Sequence, residues 1–581
     1  MLRFPAREVL IGNRPVGGQN PIRLQSMTNT PVNDLKATLG QAIRIFEAGA
    51  DYVRISTPNK ESVSLLEKIR IELKQAGFDQ PLVADIHFRP ELALMAARVV
   101  EKVRINPGNY SGIPRKGQTE WTDSEYAADL EAIRRNLKPL VTVCREYGTA
   151  IRIGTNAGSL SPRIVSRYGN TPEGLVQSTI EFLGIFKDLG YYQTVVSLKA
   201  SNPLIMIRSY ILMAGRMLNE GMCYPLHVGV TEAGEGRSGR VKSALGICTL
   251  LKEGIGDTIR VSLSEPPEDE IPIAIKMAAP FQEAFQKIPS KGAMYKTPVF
   301  EWSQEPPPPM PGRHKAIVIA NALAQTGVEA KNKVEVFEPM VADNNLNVKK
   351  EFRLFNQNES FTNQLKVPDE FSFVLHSQQN EKEIFGSLNK IRQPVILIEG
   401  PENELYVKTK HLQKQLTARK IKAAIIARLP QMGSDEDSVA ISLCTSLGKL
   451  LLERKLHGIW AKAPQLPERQ TIVELGFALL QATGLRITQT EFISCPTCAR
   501  TSFDLQAVLK HVKEKTAHLP GIKIAVMGCV VNGPGEMADA DFGLIGTGPG
   551  KVSIYRGSKA VLKNIDQSQA ADTLLELIKT Q

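Results

Sequence analysis

The sequence predicts an α/β protein that opens with a (β/α)8 TIM barrel. Short, near-continuously apolar runs recur through residues 20–266, helical patterns lie between many of them, and those patterns often end in Gly. Strands of this kind alternating with helices imply a parallel sheet. Eight such units imply that the sheet closes into a barrel. A doubly wound open sheet is the alternative, but no G-x-G-x-x-G follows the first run to support a dinucleotide site.

The expected strands are 23–27, 52–56, 82–87, 102–106, 150–155, 194–199, 226–231 and 258–262. Helical stretches are expected at 34–49, 61–77, 172–190 and 241–254. In such a barrel, chemistry sits where the strands end, and here those positions are polar. The second run carries Arg54. The third ends at Asp85 and His87. The fourth carries Arg104, and the fifth carries Arg152 with Asn156 after it. The sixth ends at Lys199. The seventh leads through His227 to Thr231 and Glu232, and the eighth carries Arg260 and Ser262.

Any one of these side chains could be half of an ion pair lining the barrel. Five cations against two evident carboxylates, Asp85 and Glu232, are harder to account for that way. Burying the surplus costs roughly several kcal/mol per unpaired ion, and a bound anion offsets it. Arg makes bidentate contacts with phosphate oxygens, so a diphosphate is the natural partner.

After Pro280 the pattern breaks. Glu305-Pro-Pro-Pro-Pro-Met-Pro311 reads as a stiff, extended linker. Residues 315–485 then show new strand-like runs at 315–320, 333–337, 371–375, 394–399 and 422–427, with helical patterns at 405–419, 438–454 and 471–483. A second α/β domain, barrel-like, is expected there. Its Cys444 sits among apolar residues and reads as core, and 344–353 reads as a polar loop.

The last hundred residues organise the chain. Runs 491–494 and 523–527 read as strands, and each leads into a cysteine. Cys495-Pro-Thr-Cys498 has the C-x2-C spacing with which two thiolates grip one metal centre. Cys529 returns in a turn, Gly528-Cys529-Val-Val-Asn-Gly-Pro-Gly-Glu536. A zinc ribbon needs a fourth soft ligand that does not follow. A thioredoxin-like dithiol suits Cys-Pro-Thr-Cys but leaves Cys529 idle, and three inert core cysteines are the plainest option. An iron–sulfur cluster uses all three. A four-iron cubane normally takes four thiolates, so with three, one iron must accept something else. Glu536 stands where a Gly-Pro-Gly turn carries it back, and a carboxylate is a harder, more exchangeable ligand than a thiolate.

These two motifs resemble the 4-hydroxy-3-methylbut-2-enyl diphosphate synthase family, iron–sulfur enzymes near the end of the methylerythritol phosphate route to isoprenoids. The resemblance spans about 1–280 and 485–581. It implies a 4Fe–4S cluster held by Cys495, Cys498, Cys529 and Glu536. It also implies diphosphate contacts at Arg54, Arg104, Arg152, Asn156, Lys199, Arg260 and Ser262, with Asp85 and His87 beside them. Glu232 matches the family's acidic barrel residue, and its expected role is general acid. The implied substrate is 2-C-methyl-D-erythritol 2,4-cyclodiphosphate, and the implied electron donor is flavodoxin or ferredoxin.

The expected domains are the barrel at 1–281, a linker at 282–314, an inserted spacer at 315–485 and a cluster domain at 486–581. The last resembles the halves of sulfite and nitrite reductases. Its segment 540–550 reads as a strand and turn and 552–555 as another strand, the turn 546–550 as a neighbour of the cluster or of a phosphate or as a simple hairpin, and 504–513 and 570–579 as helices. The chain is similar to the long form of the family, known from plants and some bacteria. In short forms one subunit's cluster domain covers its dimer partner's barrel, so a homodimer is a possible assembly. The insert would let one chain's cluster domain reach its own barrel.

Two other classes stay open: a redox sensor whose cluster reports while the barrel binds an anion silently, and a haem reductase of sulfite or nitrite. Seven Cys without a regular framework argue against a disulfide-stapled secreted protein. The start lacks an apolar signal core and no run reaches membrane-spanning length, so a cytoplasmic protein in a reducing compartment is expected. The net charge of +11 comes with no Lys/Arg run or aromatic-interleaved stripe. That argues against nucleic acid as a partner and suits an acidic substrate or electron carrier.

Overall fold

The computed structural model describes residues 2–31, 33–86, 89–110, 120–287, 293–302, 316–321, 336–337, 340–343, 346–349, 352–353, 372–376, 385, 388, 394–429, 433–462, 469–495, 501–530, 533–537 and 540–580. They form two units: one of residues 1–239, 246–298 and 489–581, the other of 240–245 and 299–488.

The first unit opens with a short hairpin, β1 (Val9–Ile11) and β2 (Arg14–Val16). The barrel strands follow as β3 (Arg23–Met27), β4 (Tyr52–Ser56), β5 (Leu82–Asp85), β6 (Lys102–Ile105), β7 (Ala150–Asn156), β8 (Thr194–Lys199), β9 (His227–Val228) and β10 (Thr258–Ile259). All pair in parallel in the order β8-β7-β6-β5-β4-β3-β10-β9, and a Val196–Leu226 bridge joins the two ends into a closed ring. The expected eight-stranded barrel therefore forms. Its last two strands are shorter than their apolar runs suggested. At Gly229 a side-chain carbon would lie 2.2 Å from the Arg260 carbonyl oxygen, so only a bare backbone fits where the two strands cross.

The hairpin seals the end of the barrel where the strands begin. Val9, Ile11 and Val16 pack with Tyr52, Val83, Ala150 and Val195 in one buried cluster. Just inside this floor, Lys102 is fully buried, its Nζ without a hydrogen-bond partner and 4.1 Å from the centre of the Tyr52 ring. The sealed floor leaves the other end for function.

Within the same unit, residues from 491 onward form a five-stranded sheet. Glu491–Ser494, Lys523–Met527 and Phe542–Gly548 run parallel. Lys551–Arg556 and Lys559–Asp566 continue the sheet antiparallel. Helices Leu505–Thr516 and Ala570–Lys579 cover it, burying Val508, Leu509, Val512 and Leu574 against Ile524, Phe542 and Leu544. Gly533–Glu536, read from sequence as a turn, forms a single helical turn.

The second unit has a seven-stranded sheet. Ile317–Asn321, Gly458–Lys462, Ala424–Leu429, Pro394–Glu399 and Ser372–His376 run parallel, and Met340–Asp343 and Leu346–Lys349 extend it antiparallel. Helices Glu402–Ala418, Glu436–Leu452 and Arg469–Ala482 alternate with the parallel strands. Among the described residues the sheet's two edges do not pair. The segment 344–353, expected as loop, contains strands Leu346–Lys349 and Phe352–Arg353. Leu-Asn-Val-Lys alternates apolar with polar, the period of a half-covered strand, and its polar content masked that signal. Among the described residues no helix is long and apolar enough to cross a membrane.

Candidate active site at the barrel mouth

Successive side chains of a strand point to opposite faces, so residues two apart share the barrel interior. Arg54, Asp85, Arg104, Arg152, Asn156, Lys199 and Arg260 all fall on that inward parity. Asp85 is the shared counter-ion: Arg104 Nη1 donates to its Oδ1 at 3.1 Å, and Arg54 Nε lies 3.9 Å from its Oδ2. Arg104 Nη2 also donates to the Gly154 carbonyl at 2.7 Å. Arg260 Nε is 3.7 Å from Glu270 Oε2, a carboxylate that also accepts from Ser26 Oγ at 2.7 Å.

Arg152 is 1% exposed, and its Nε and Nη1 have no hydrogen-bond partner. Burial, then the charges of Arg54 and Arg104, pull it well below its ordinary range. Burial likewise lowers Lys199, reinforced by Arg260, Arg152, Arg54 and Arg104. A cluster of cations that depress one another, with buried N–H groups still to satisfy, is built to receive a polyanion. Ser262 is buried close by in sequence to Arg260. His87 lies outside the described residues.

Over this mouth sits the small C-terminal sheet. Its first two strands are parallel neighbours, so their ends deliver Cys495 and the Gly528–Cys529 loop side by side. Gly528 N–H donates to Cys495 Sγ at 3.2 Å, and Ser502 N–H to the Gly528 carbonyl at 3.1 Å. The turn after Phe542–Gly548 belongs to the same assembly. A side-chain carbon at Gly546 would lie 2.5 Å from the Gly528 carbonyl oxygen, and Gly550 N–H donates to Ser502. Two soft donors on adjacent strand ends, one already receiving a backbone N–H, suit a metal–sulfur group. Cys498 lies outside the described residues.

The barrel and this cap meet at several points. Ala233 bridges Ser494 in parallel. Ser264 Oγ lies 2.7 Å from Ser494 Oγ and donates to the Cys495 carbonyl at 3.1 Å, and Gln506 Nε2 donates to the Ser264 carbonyl at 2.8 Å. Lys513 pairs with Glu235 at 2.8 Å. At the centre, the turn Ala157–Ser159 after β7 presses on Gly533–Glu536. A side-chain carbon at Gly535 would sit 1.5 Å from the Gly158 carbonyl oxygen, and one at Gly158 would sit 2.6 Å from Glu536 N. That barrel turn is itself braced, since Asn106 Nδ2 donates to Ser159 Oγ at 2.8 Å. A small cleft, partly open to solvent, runs along this seam past Asn170, Ser201, Asn202 and Glu536.

Glu536 is 4% exposed and reaches across the seam, accepting a hydrogen bond from Asn156 Nδ2, with Glu232 beside it. Burial pushes the Glu536 carboxyl up, against the opposing pull of Glu232, Asn156, Arg104 and Lys199. Glu232 adopts φ 54°, a left-handed conformation costing a side-chain-bearing residue about 1–2 kcal/mol. The next residue, Ala233, is tied to Ser494 by the parallel bridge. The structure thus gathers Arg54, Asp85, Arg104, Arg152, Asn156, Lys199, Glu232 and Arg260 at one mouth, with Glu536 turned into it. Sequence reasoning missed Met27, Glu270, Ser264 and the Gly158–Gly535 contact. Of these only Glu270, an acid in a helix's first turn, carried any signal, and it reads as a capping charge.

A cationic (β/α)8 mouth under a thiol-bearing cap is the architecture of an enzyme of the barrel class. Comparison with known proteins makes this specific. The GcpE TIM-barrel domain matches residues 6–275, and the GcpE protein C-terminal domain matches 491–580. A 4-hydroxy-3-methylbut-2-en-1-yl diphosphate synthase (flavodoxin) from Phocaeicola vulgatus is 40% identical over 99% of this chain and 98% of its own. One from Leptospira interrogans is 37% identical over 99% and 96%. The chloroplastic, ferredoxin-type enzyme of Arabidopsis thaliana is 36% identical over 100% of this chain and 87% of its own. The chain belongs to the 4-hydroxy-3-methylbut-2-en-1-yl diphosphate synthase family. It is therefore an oxidoreductase, and membership implies an iron–sulfur enzyme.

Proposed function

We propose that the barrel mouth binds 2-C-methyl-D-erythritol 2,4-cyclodiphosphate and that two electrons and two protons convert it to 4-hydroxy-3-methylbut-2-enyl diphosphate and water. The observation that carries this reading is the inward cluster of Arg54, Arg104, Arg152, Lys199 and Arg260, in which a fully buried guanidinium keeps N–H groups without partners. Residues 1–281 bind the substrate, 486–581 carry the redox centre, and 315–485 serve as spacer beyond the linker 282–314. Cys495, Cys498, Cys529 and Glu536 are the residues that would hold a 4Fe–4S cluster, which supplies electrons one at a time. Flavodoxin or ferredoxin, the donors in the relatives' names, fits the role of carrier.

The chain's own side chains have defined tasks. The guanidinia of Arg54, Arg104, Arg152 and Arg260 take the diphosphate oxygens, and Lys199 and Ser262 complete the cup. Each charge-assisted contact contributes about 1.5–3 kcal/mol, enough to orient the ring oxygen and the departing hydroxyl. The cap lies over the mouth in backbone contact along the Gly158–Gly535 seam. Glu232 holds the proton that leaves with the hydroxyl. Its buried position at the mouth, across from Glu536 and the cations, supports this role. A sensor that binds an anion without turnover has no use for an acid held in a strained conformation at the mouth.

The test begins with iron and sulfide content of anaerobically purified protein, followed by assay of the cyclic diphosphate with a strong one-electron reductant. Glu232→Gln should retain its iron and sulfide, yet lose turnover by about 100-fold or more, the scale of general-acid catalysis. Full turnover in that variant would remove Glu232 from the chemistry.

A further inference from the structure

One contact at the mouth joins an apolar side chain to two of its cations. Met27, the last residue of β3, is 4% exposed. In the barrel β3 lies between β4 and β10, the strands that bring in Arg54 and Arg260. Met27 is in register with Arg54. Arg54 Nε and Nη2 approach Met27 Sδ at 3.1 and 2.8 Å, and Arg260 Nη1 approaches it at 3.6 Å. Arg54 Nε also lies 3.9 Å from Asp85 Oδ2, and Arg260 Nε 3.7 Å from Glu270 Oε2.

We propose that Met27 is a positioning residue for diphosphate binding, its thioether orienting the Arg54 and Arg260 guanidinia without neutralising them. The inference rests on the diphosphate reading of this mouth. The chemistry explains why the position suits methionine. Two guanidinia flanking one strand repel each other and turn toward any acceptor within reach. A carboxylate between them would fix their directions, but it would also take the place of a phosphate oxygen and cancel the charge that attracts it. Leucine would fill the space and offer no acceptor, leaving both side chains to rotate toward Asp85 and Glu270. A thioether is neutral, polarizable and a weak acceptor on an unbranched chain. It holds the donors in place and competes poorly with an incoming anion.

The test compares cluster-loaded wild type with Met27→Leu and Met27→Gln. KM and kcat are measured with the cyclic diphosphate, and affinity for inorganic pyrophosphate is measured by calorimetry. Loss of the acceptor in Met27→Leu should raise KM and weaken pyrophosphate binding about five- to tenfold, the scale of one modest hydrogen bond, with kcat within about twofold. Met27→Gln, which keeps a neutral acceptor, should stay within about threefold of wild type. If Met27 only fills space, the order reverses, because Leu is the closer apolar replacement. Each variant decides alone if the other does not fold. An unchanged KM in Met27→Leu overturns the proposal, and so does a loss in Met27→Gln of about tenfold or more. Failure of wild type to bind pyrophosphate or the cyclic diphosphate would overturn the parent reading as well. Equal binding by wild type and Met27→Leu overturns only the role of Met27.

Discussion

Gly535→Ala tests the closed site with a single methyl group. Gly535 stands against the Gly158 carbonyl oxygen, where an added carbon would lie 1.5 Å away, and the atoms it meets are backbone. Non-bonded carbon and oxygen need about 3 Å or more, so the cap must back away from the barrel by roughly 1.5 Å. Gly535 is not among the positive-φ glycines, so the substitution adds bulk without straining its own backbone. A 1 Å misplacement of reacting groups costs on the order of 100-fold in rate. We expect kcat/KM to fall by at least about 100-fold on that basis. The cup lies wholly in the barrel, so pyrophosphate affinity should stay within about twofold of wild type, and the iron and sulfide content should be unchanged, since no ligand is removed. The assay is steady-state turnover with a one-electron reductant beside calorimetric pyrophosphate binding. Gly158→Ala should behave alike, with a milder clash at 2.6 Å from Glu536 N. If Gly535→Ala turns over within about threefold of wild type, closure of this seam is not part of the reaction.

Three further outcomes follow from the described contacts. Lys102→Met should stabilise the protein by about 1–3 kcal/mol, read as a higher denaturant midpoint, because it removes a buried amine without a hydrogen-bond partner. Burial, then Arg152 and Arg54, hold the Lys102 amine well below its ordinary value. Between that lowered value and about pH 10.4 the unfolded chain binds a proton the native barrel does not, so wild-type stability should rise with pH, and the variant should lose that slope. Arg152→Met should weaken pyrophosphate binding by about 10- to 100-fold, the scale of one or two charge-assisted hydrogen bonds, with little loss of stability because a buried charge departs. Mixing inactive Glu232→Gln and Cys529→Ala proteins should restore no activity, since Glu536 meets Asn156 and Glu232 of its own chain. Recovered turnover would show that sites are shared between subunits.

The barrel was legible because its strands announce themselves as near-continuous apolar runs between helical patterns, and within an assigned strand the side chains follow a two-residue period. That period puts Lys102 and Arg104 on one face of β6, and Arg152 with Asn156 on one face of β7. The cation cluster is therefore readable from the amino-acid order alone, since it depends only on parity and strand succession. Met27 is not. A methionine ending a short strand reads as core, and only the order β4-β3-β10 reveals that it stands between two arginines. The Gly158–Gly535 contact was equally hidden, because nothing local to either glycine signals a partner so far along the chain. The N-terminal hairpin escaped for another reason: its strands are three residues each, one containing Pro15, too short to show a period. The edge strand Lys559–Asp566 is largely exposed, and its apolar residues Ala560, Val561, Leu562 and Ile565 do not keep a strand's two-residue alternation.

The cap's attachment to its own barrel has a consequence for dilution. A lid borne by a second subunit departs as the protein concentration falls below the dimer's dissociation constant, and specific activity falls with it. A lid on the same chain is held at an effective concentration fixed by the intervening segment, typically in the millimolar range for short flexible tethers. Insertion of 299–488 between Pro298 and Gln489 leaves that linkage covalent. Specific activity should then stay constant as the enzyme is diluted to nanomolar levels, where a lid shared between subunits would be lost.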